Sequence, residues 1–220
     1  MIPVSLSAPP PHYKTRVRRP GMQFLAATPN PTSNDWSRHR YWQKIHRYLY
    51  EWHKGVCVYC ASWTPRSRKH SSVDHTSIDH FVPKSKDRLR AYEWSNFRMV
   101  RSKLNHRKDN FEDVLDPCTL QPGWFRLDFT TFLLKPDPAL PAKAQGQVTA
   151  TIQRLLLNGD PSYVNERAHV VYRYAAGRIS FADVQRLYPF IASEMKAKSF
   201  DVVHKPSVVA ALAKRPWLAN

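Results

Sequence analysis

The sequence predicts an α+β protein with a mainly α-helical body and a Pro-rich N-terminal arm. Apolar residues recur at three-to-four spacing through 34–55 and through most of 147–199, which indicates amphipathic helices. Strand-like patterns are confined to short stretches near Ile78 and within 124–134. We therefore expect three regions: an extended basic arm at 1–34, a core with a leading helix at 35–120, and a strand plus helical region at 121–220 that packs on the same domain.

The charge balance predicts a polyanionic partner. Lys and Arg total 34 against 17 Asp and Glu, a formal net charge of +17 with a pI near 10.1. Nucleic acid is the first expectation and an anionic membrane surface the second. No apolar run approaches the roughly 20 residues of a membrane span, and the N-terminus lacks the pattern of a secretory signal. Three cysteines argue against a disulfide framework and for a reducing, cytoplasmic location.

The first two elements are the arm and a long helix. Prolines at 9–11, 20, 29 and 31 and a basic cluster at 16–19 predict an extended arm that wraps the body. A helix is predicted to begin at an N-cap of Ser33 or Asn34 and to end at Lys54 and Gly55, with a basic outer face. Its apolar and aromatic stripe, from Trp36 to Trp52, is expected to pack in the core rather than to stack on nucleobases.

The remaining elements follow an irregular, strongly basic stretch. Twelve of the 34 basic residues lie between Arg66 and Lys108. The sequence WFRLDFTTFLL (124–134) predicts one or two strands, and 136–147 predicts a loop. Helices are then predicted at 147–157, 161–175, 180–199 and 206–214.

The residues that carry chemistry lie within SIDHFVPKSKDRLRAYEWSNFRMVRSKLNHRKDN (77–110). A predicted strand ends at Ile78 and is followed by Asp79 and His80, and later by Asn96 and Asn105. Asp79 and Asn105 offer hard oxygen ligands, which suit Mg²⁺ or Mn²⁺. The imidazole of His80 can remain free of metal and accept a proton from water, because its pKa lies near working pH.

These residues resemble the motifs of the HNH endonucleases, whose ββα-metal finger ends its first strand in Asp-His. Asp79-His80 is similar to the first motif, Asn96 to the second, and Asn105 to the third, in the context N-x-x-K. The resemblance covers about 56–112. It implies that His80 is the general base, that Asp79 and Asn105 bind one Mg²⁺ or Mn²⁺, and that Asn96 orders the loop that fixes the base.

The implied activity is the hydrolysis of phosphodiester bonds, with DNA favoured over RNA, so that 35–120 is a nuclease core. Four basic residues near the motifs are candidates to hold flanking phosphates: Lys84, Arg101, Arg107 and Lys108.

Each motif residue also has a structural alternative. A second Asp-His pair, Asp74-His75, lacks the following turn and the Asn partners, and is interpreted as a surface pair or a phosphate contact. His80 is alternatively an inert, hydrogen-bonded histidine. Asn96 is alternatively a turn-capping residue without a catalytic role.

Cys57 and Cys60 form the C-x-x-C half of a zinc knuckle. Many members of the resembled family have a second cysteine pair, whose positions are occupied by Arg101 and Leu104 in this sequence. In place of that pair, a structural Zn²⁺ would need ligands from His70, His75, His106 or Cys118. The alternative is two buried thiols that act as small apolar groups.

Short segments outside the motifs resemble bacterial HNH proteins that occur with retron and Septu-type anti-phage ATPases. The segments are AYEWSN, DVLDP, GWFRLDF and TIQRLLLN, with Arg167 nine residues on. The resemblance implies an ATPase partner, a role in anti-phage defence, and DNA or tRNA as substrate. The alternatives are a catalytically inert nucleic-acid-binding module that retains the finger, and an interaction subunit that docks on an acidic partner.

Overall fold

A computed structural model describes residues 1–66 and 74–200, so the predicted helix at 206–214 and His70 lie outside the described residues. Within them the chain forms eight α-helices and two antiparallel two-stranded sheets, which confirms the α+β class. No helix in these ranges is long and apolar enough to cross a bilayer. The helices are α1 Arg19–Ala27, α2 Ser33–Arg38, α3 His46–Trp52, α4 Ser102–Lys108, α5 Ala142–Arg154, α6 Pro161–Ala175, α7 Phe181–Leu187 and α8 Pro189–Ala197. The strands are β1 Thr76–His80, β2 Phe97–Arg101, β3 Phe125–Leu127 and β4 Leu134–Pro136.

The chain divides into two compact units. The N-terminal unit comprises Val4–Tyr59 and Thr64–Glu112, and contains the motif residues. The C-terminal unit comprises Met1–Pro3, Cys60–Trp63 and the chain from Asp113 onward. The predicted boundaries at 34 and 120 therefore differ from the observed division, because 4–34 belongs to the N-terminal unit.

The prediction of an extended N-terminal arm was wrong for 14–27, whereas 1–10 forms no helix or strand and its Ser5, Ser7 and Ala8 carbonyls accept hydrogen bonds from side chains of the body. One turn of π-helix, Lys14–Arg18, continues directly into α1. Pro20 is the second residue of α1 and lies at the junction with the π-helical turn. Val17 and Phe24 point into the core of the N-terminal unit. The helical segment 14–27 therefore contributes to the core rather than wrapping around it.

The helix predicted at 34–55 is instead three short helices. A capping box between Thr32 and Asp35 begins α2, and a 3₁₀ helix at Tyr41–Ile45 precedes α3. The break falls at His39, whose ring stacks on Phe24 at 3.9 Å between centroids. Tertiary packing therefore interrupts a pattern that alone predicts a continuous helix.

The second half of the N-terminal unit is a β-hairpin followed at once by a helix. β1 pairs with β2 in antiparallel register, so that Ile78 faces Met99 and His80 faces Phe97. β1 extends to His80, two residues beyond the predicted end. Helix α4 begins directly after β2, and this ββα arrangement positions the motif side chains.

Asp74 stabilises the start of α4, and its Oδ1 also lies 4.0 Å from Nδ1 of His75 in a partly exposed pair. Its carboxylate accepts hydrogen bonds from the backbone N–H groups of Lys103 and His75, both at 2.9 Å. The N–H groups of a first helical turn have no intrahelical acceptor, so this carboxylate satisfies one of them.

The C-terminal unit contains a β3–β4 hairpin and helices α5 to α8. Two strands thus form within 124–136, and α6 has the predicted bounds. Helix α5 begins at Ala142, inside the predicted loop, because Ala144, Val148 and Ile152 form one buried face. The helix predicted at 180–199 is divided at Pro189, which has no N–H to donate.

Candidate functional site

A cleft of about 990 Å³ opens in the N-terminal unit beside β1 and α4. Four of the residues singled out from the sequence line it together: Asp79, His80, Lys84 and Asn105. The other charged, histidine and tryptophan side chains on its wall are Trp36, Arg40, Trp42, His46, Arg66, His75, His106 and Asp109. The cleft therefore unites the end of β1 with one face of α4.

Asp79 lies at the base of the cleft and is only 3% exposed. One carboxylate oxygen accepts a hydrogen bond from the Tyr59 hydroxyl at 2.6 Å, and the other accepts one from Nζ of Lys108 at 3.2 Å. Burial raises the pKa of Asp79, while the charge of Lys108 and the Tyr59 hydrogen bond act in the opposite direction. Each oxygen keeps a second lone pair, so both can still accept a further interaction.

The ring of His80 is fixed on three sides. Nε2 donates a hydrogen bond to the Ala91 carbonyl at 2.9 Å, and Trp42 and Phe97 pack edge-on against the ring at 4.6 and 5.5 Å. Burial, followed by the charge of Lys84, lowers the pKa of His80 well below its usual value. The imidazole is therefore neutral at pH 7, and the Nε2 bond leaves Nδ1 as the basic nitrogen.

Asn96 does not line the cleft but fixes the loop that holds His80. Its Oδ1 accepts a hydrogen bond from the Val82 N–H at 2.7 Å, and its Nδ2 donates to the carbonyls of Val82 and Arg90 at 3.0 Å. Arg90 directly precedes Ala91, whose carbonyl holds the His80 ring. Asn96 thus acts on His80 through the backbone of 81–91 and is a positioning residue.

Asn105 projects from α4 toward β1. Its Nδ2 donates to the Ser77 hydroxyl at 3.1 Å and to the Ile78 carbonyl at 3.3 Å. These bonds fix the orientation of the amide. Its Oδ1 accepts no hydrogen bond from the residues that the structure describes.

The donor set fits a hard divalent cation. Across 1–66 and 74–200, no group of three His, Cys, Asp or Glu side chains is arranged to hold a metal ion. Mg²⁺, however, is commonly held by one or two protein oxygens, with water and substrate phosphate completing its shell. Asp79 and Asn105 supply two such oxygens on the wall of one cleft.

The structure separates the four predicted phosphate ligands. Lys84 lines the cleft, whereas Lys108 is fully buried in its ion pair with Asp79. Arg101 is 7% exposed, and its Nε donates to the Thr64 hydroxyl at 2.8 Å. Arg107 is half-buried and does not line the cleft. The guanidinium of Arg101 and the ammonium of Lys108 thus both bind protein atoms in this structure.

The two cysteines of the C-x-x-C segment belong to different units. Cys57 is buried in the N-terminal unit, and its Sγ accepts a hydrogen bond from the Arg101 N–H at 3.2 Å. Cys60 belongs to the C-terminal unit and is half-buried. Cys57 thus has the surroundings of a buried thiol in a protein core.

Sequence reasoning did not identify Tyr59 or Trp42 as parts of the site. Tyr59 lies 20 residues before Asp79 and contacts it only in the folded chain. Trp42 lies inside the predicted helix at 34–55 but was not assigned a role from the sequence, and its ring packs on His80. Neither contact leaves a local signal, since both depend on tertiary structure.

Comparisons of the chain with protein-family models, with curated proteins and with solved structures gave no match.

Proposed function

We propose that this protein is a metal-dependent endonuclease of the HNH type that hydrolyses phosphodiester bonds in nucleic acid. The observation that carries the proposal is that Asp79, His80 and Asn105 line one cleft, with the His80 ring held by the Ala91 carbonyl. The ββα order of β1, β2 and α4 and the motif resemblance support it. The net charge of +17 supports a polyanionic substrate.

In this proposal His80 is the general base. A water molecule donates its proton to Nδ1 as its oxygen bonds to the phosphorus, while the bond from phosphorus to the leaving oxygen breaks and that oxygen takes a proton from solvent. The Nε2 bond to the Ala91 carbonyl stabilises the resulting imidazolium. The carbonyl is suited to this role because it accepts a stronger hydrogen bond from a charged donor. Trp42 and Phe97 prevent the ring from rotating away.

Asp79 and Asn105 would hold one Mg²⁺ or Mn²⁺. Such an ion, when bound, neutralises charge on the phosphate and on the leaving oxygen. Tyr59 and Lys108 orient the Asp79 carboxylate by donating to one lone pair of each oxygen.

The test is cleavage of a labelled oligonucleotide with Mn²⁺ and with EDTA. We expect cleavage only with the metal, and we expect His80→Ala to reduce the rate about 10²- to 10⁴-fold while binding in EDTA is retained. His169→Ala is the matched control, because His169 is exposed on α6 in the C-terminal unit. Cleavage by His80→Ala at the wild-type rate would rule out His80 as the base.

The second candidate function is a nucleic-acid-binding or partner-docking module without catalysis. The observation that favours it is the buried Lys108–Asp79 ion pair, which already balances the charge of the carboxylate. An inert module binds nucleic acid with strong salt dependence but without dependence on Mn²⁺. Metal-dependent cleavage excludes this function.

We propose DNA as the preferred polymer and an ATPase of an anti-phage system as a partner, both on the resemblance of the motifs and short segments alone. DNA and RNA strands of identical sequence, cleaved in parallel, test the first proposal. Co-purification of an ATPase with the tagged protein from its native cells tests the second.

A further inference from the structure

Lys84 carries a positive charge that the surrounding protein does not neutralise. Its Nζ lies over the rings of Trp42 and Trp36, at 5.1 and 5.8 Å from their centroids. Among the residues that the structure describes, Nζ makes no hydrogen bond and no ion pair. Lys84 is half-buried, and an ammonium has three N–H donors, so the lack of protein acceptors is unfavourable for the folded protein.

The burial of Lys84 and the positive charges near it disfavour its protonated form. Burial is the largest effect on the Lys84 ammonium and lowers its pKa, and the charges of Lys108 and Arg40 lower it further. The carboxylate of Asp79 has the opposite effect, which places Lys84 within electrostatic reach of the proposed metal ligand. The ammonium thus lies beside the reacting centre without being bonded to it.

Lys84 also lines a second cavity, of about 710 Å³, next to the first cleft. Trp36 and Lys84 belong to the walls of both cavities, as do Ser33 and Asn110. The second cavity therefore continues the cleft away from His80 and past the Lys84 ammonium.

The wall of the second cavity is basic. It carries Lys86 and Arg88 in addition to Lys84, against the single carboxylate of Asp87. That carboxylate already accepts a hydrogen bond from the Leu89 N–H at 3.0 Å, where it caps a short 3₁₀ helix. Lys86 is exposed, so its charge is available to a bound ligand.

We propose that the second cavity is a subsite for the backbone that flanks the scissile bond, with Lys84 binding the phosphate next to the one that is hydrolysed. The proposal rests on the proposed nuclease function and makes it more specific. The substrate class is a polynucleotide with at least one phosphate beside the scissile bond, rather than an isolated small phosphodiester. Lys86 contacts a phosphate that follows, whereas Arg88 donates from Nη1 to the Leu25 carbonyl at 3.2 Å and adds positive charge to the wall.

The melting temperature of a Lys84 variant distinguishes a structural role of this residue from a ligand-binding role. A lysine that stabilises the fold would lower the melting temperature when replaced. A lysine held for a ligand removes an unfavourable desolvated charge when it is replaced by Met, which keeps the unbranched stem. Lys84→Met should therefore have an unchanged or higher melting temperature together with weaker substrate binding.

The experiment compares Lys84→Met with wild type on two substrates in the presence of Mn²⁺, an oligonucleotide and bis(p-nitrophenyl) phosphate, which has no flanking phosphate. We expect kcat/KM for the oligonucleotide to fall about 10- to 100-fold, and that for the small diester to change less than about twofold. Lys44→Met is the matched control, because Lys44 is exposed, lies over the Tyr41 ring and lines neither cavity.

A binding measurement separates this inference from the proposed function. In EDTA, the slope of log K against log salt for the oligonucleotide should decrease by about one for Lys84→Met and remain unchanged for Lys44→Met. An unchanged slope, or equal losses of kcat/KM on both substrates, would overturn the subsite. If wild type cleaves neither substrate, the nuclease proposal fails, and the slope alone then decides whether Lys84 binds a phosphate.

Discussion

Replacing Asn96 with Ala should disconnect the loop that holds His80. The Asn96 side chain is 2% exposed and makes three hydrogen bonds, to the N–H of Val82 and to the carbonyls of Val82 and Arg90. Ala removes all three bonds and leaves the half-buried backbone groups of Val82 without these partners. Among the described residues, no other side-chain amide forms hydrogen bonds with the backbone of the loop between β1 and β2.

The expected loss of stability follows from the number of bonds. At about 1 kcal/mol net for each hydrogen bond, Asn96→Ala should lower the free energy of unfolding by about 3 kcal/mol. Asn96→Asp keeps the acceptor for the Val82 N–H but has no N–H for the two carbonyls, and should destabilise as well. Cleavage should fall beyond the fraction unfolded, because the Ala91 carbonyl no longer orients His80.

Urea unfolding measures the free energy, and hydrogen exchange of the Val82 amide reports the loop directly. Asn158→Ala is the matched control, because Asn158 clamps the N–H and carbonyl of Leu134 at 2.8 and 2.9 Å in the C-terminal unit. We expect that control to lose stability but to keep the cleavage rate of its folded fraction. A loss below about 1 kcal/mol for Asn96→Ala, or unchanged Val82 protection, would refute this account of the loop.

Three further predictions concern packing, pH and metal affinity. Gly21→Val should destabilise the protein by about 3 kcal/mol in thermal unfolding, because a Cβ at this position would lie 2.2 Å from the ring of the buried Tyr92. Gly146→Ala on α5 should stabilise it by about 0.5–1 kcal/mol, because a Cβ there has nothing within 4 Å. Burial lowers the pKa of His53 to about 4, so between pH 6.5 and 4 the unfolded chain binds a proton that the folded protein does not. The free energy of unfolding should therefore fall as the pH decreases through this range, and it should fall less steeply in His53→Gln. Tyr59→Phe removes a hydrogen bond from Asp79 and should weaken Mn²⁺ binding about tenfold in calorimetry.

Each of these predictions has a contradicting result. Unchanged thermal stability of Gly21→Val would mean that α1 does not pack on the core as described. Identical pH dependence of stability in wild type and His53→Gln would mean that His53 is not buried. Equal Mn²⁺ affinity in wild type and Tyr59→Phe would show that the hydroxyl does not orient the carboxylate.

The fold was predictable where local pattern and tertiary packing agree. Helix α6 has its predicted bounds because Asp160 caps its first turn and its apolar residues keep helical spacing. The segment 34–55 has the same kind of pattern, but the packing of His39 on Phe24 divides it. Residues 13–27 form a helix despite Pro20, since the effect of proline depends on its position in a helix, which the sequence pattern did not reveal.

The site was predictable only for residues that are close in the sequence or follow the motif spacing. The structure places Asp79, His80 and Asn105 on the wall of one cleft, a grouping that the motif resemblance implied. Lys108 was predicted to hold a flanking phosphate, yet it is buried and pairs with a carboxylate 29 positions away. The partner of a buried charge is set by tertiary contacts, so composition and spacing could not identify it.

The central claim is that Asp79 and Asn105 bind metal while His80 performs proton transfer. Calorimetry with Mn²⁺, followed by single-turnover cleavage of the same samples, tests this division directly. The account predicts that Asp79→Asn and Asn105→Ala lose both Mn²⁺ binding and cleavage, and that His80→Ala loses cleavage but keeps wild-type Mn²⁺ affinity. Wild-type Mn²⁺ binding in Asp79→Asn and Asn105→Ala, or wild-type cleavage in His80→Ala, would contradict it.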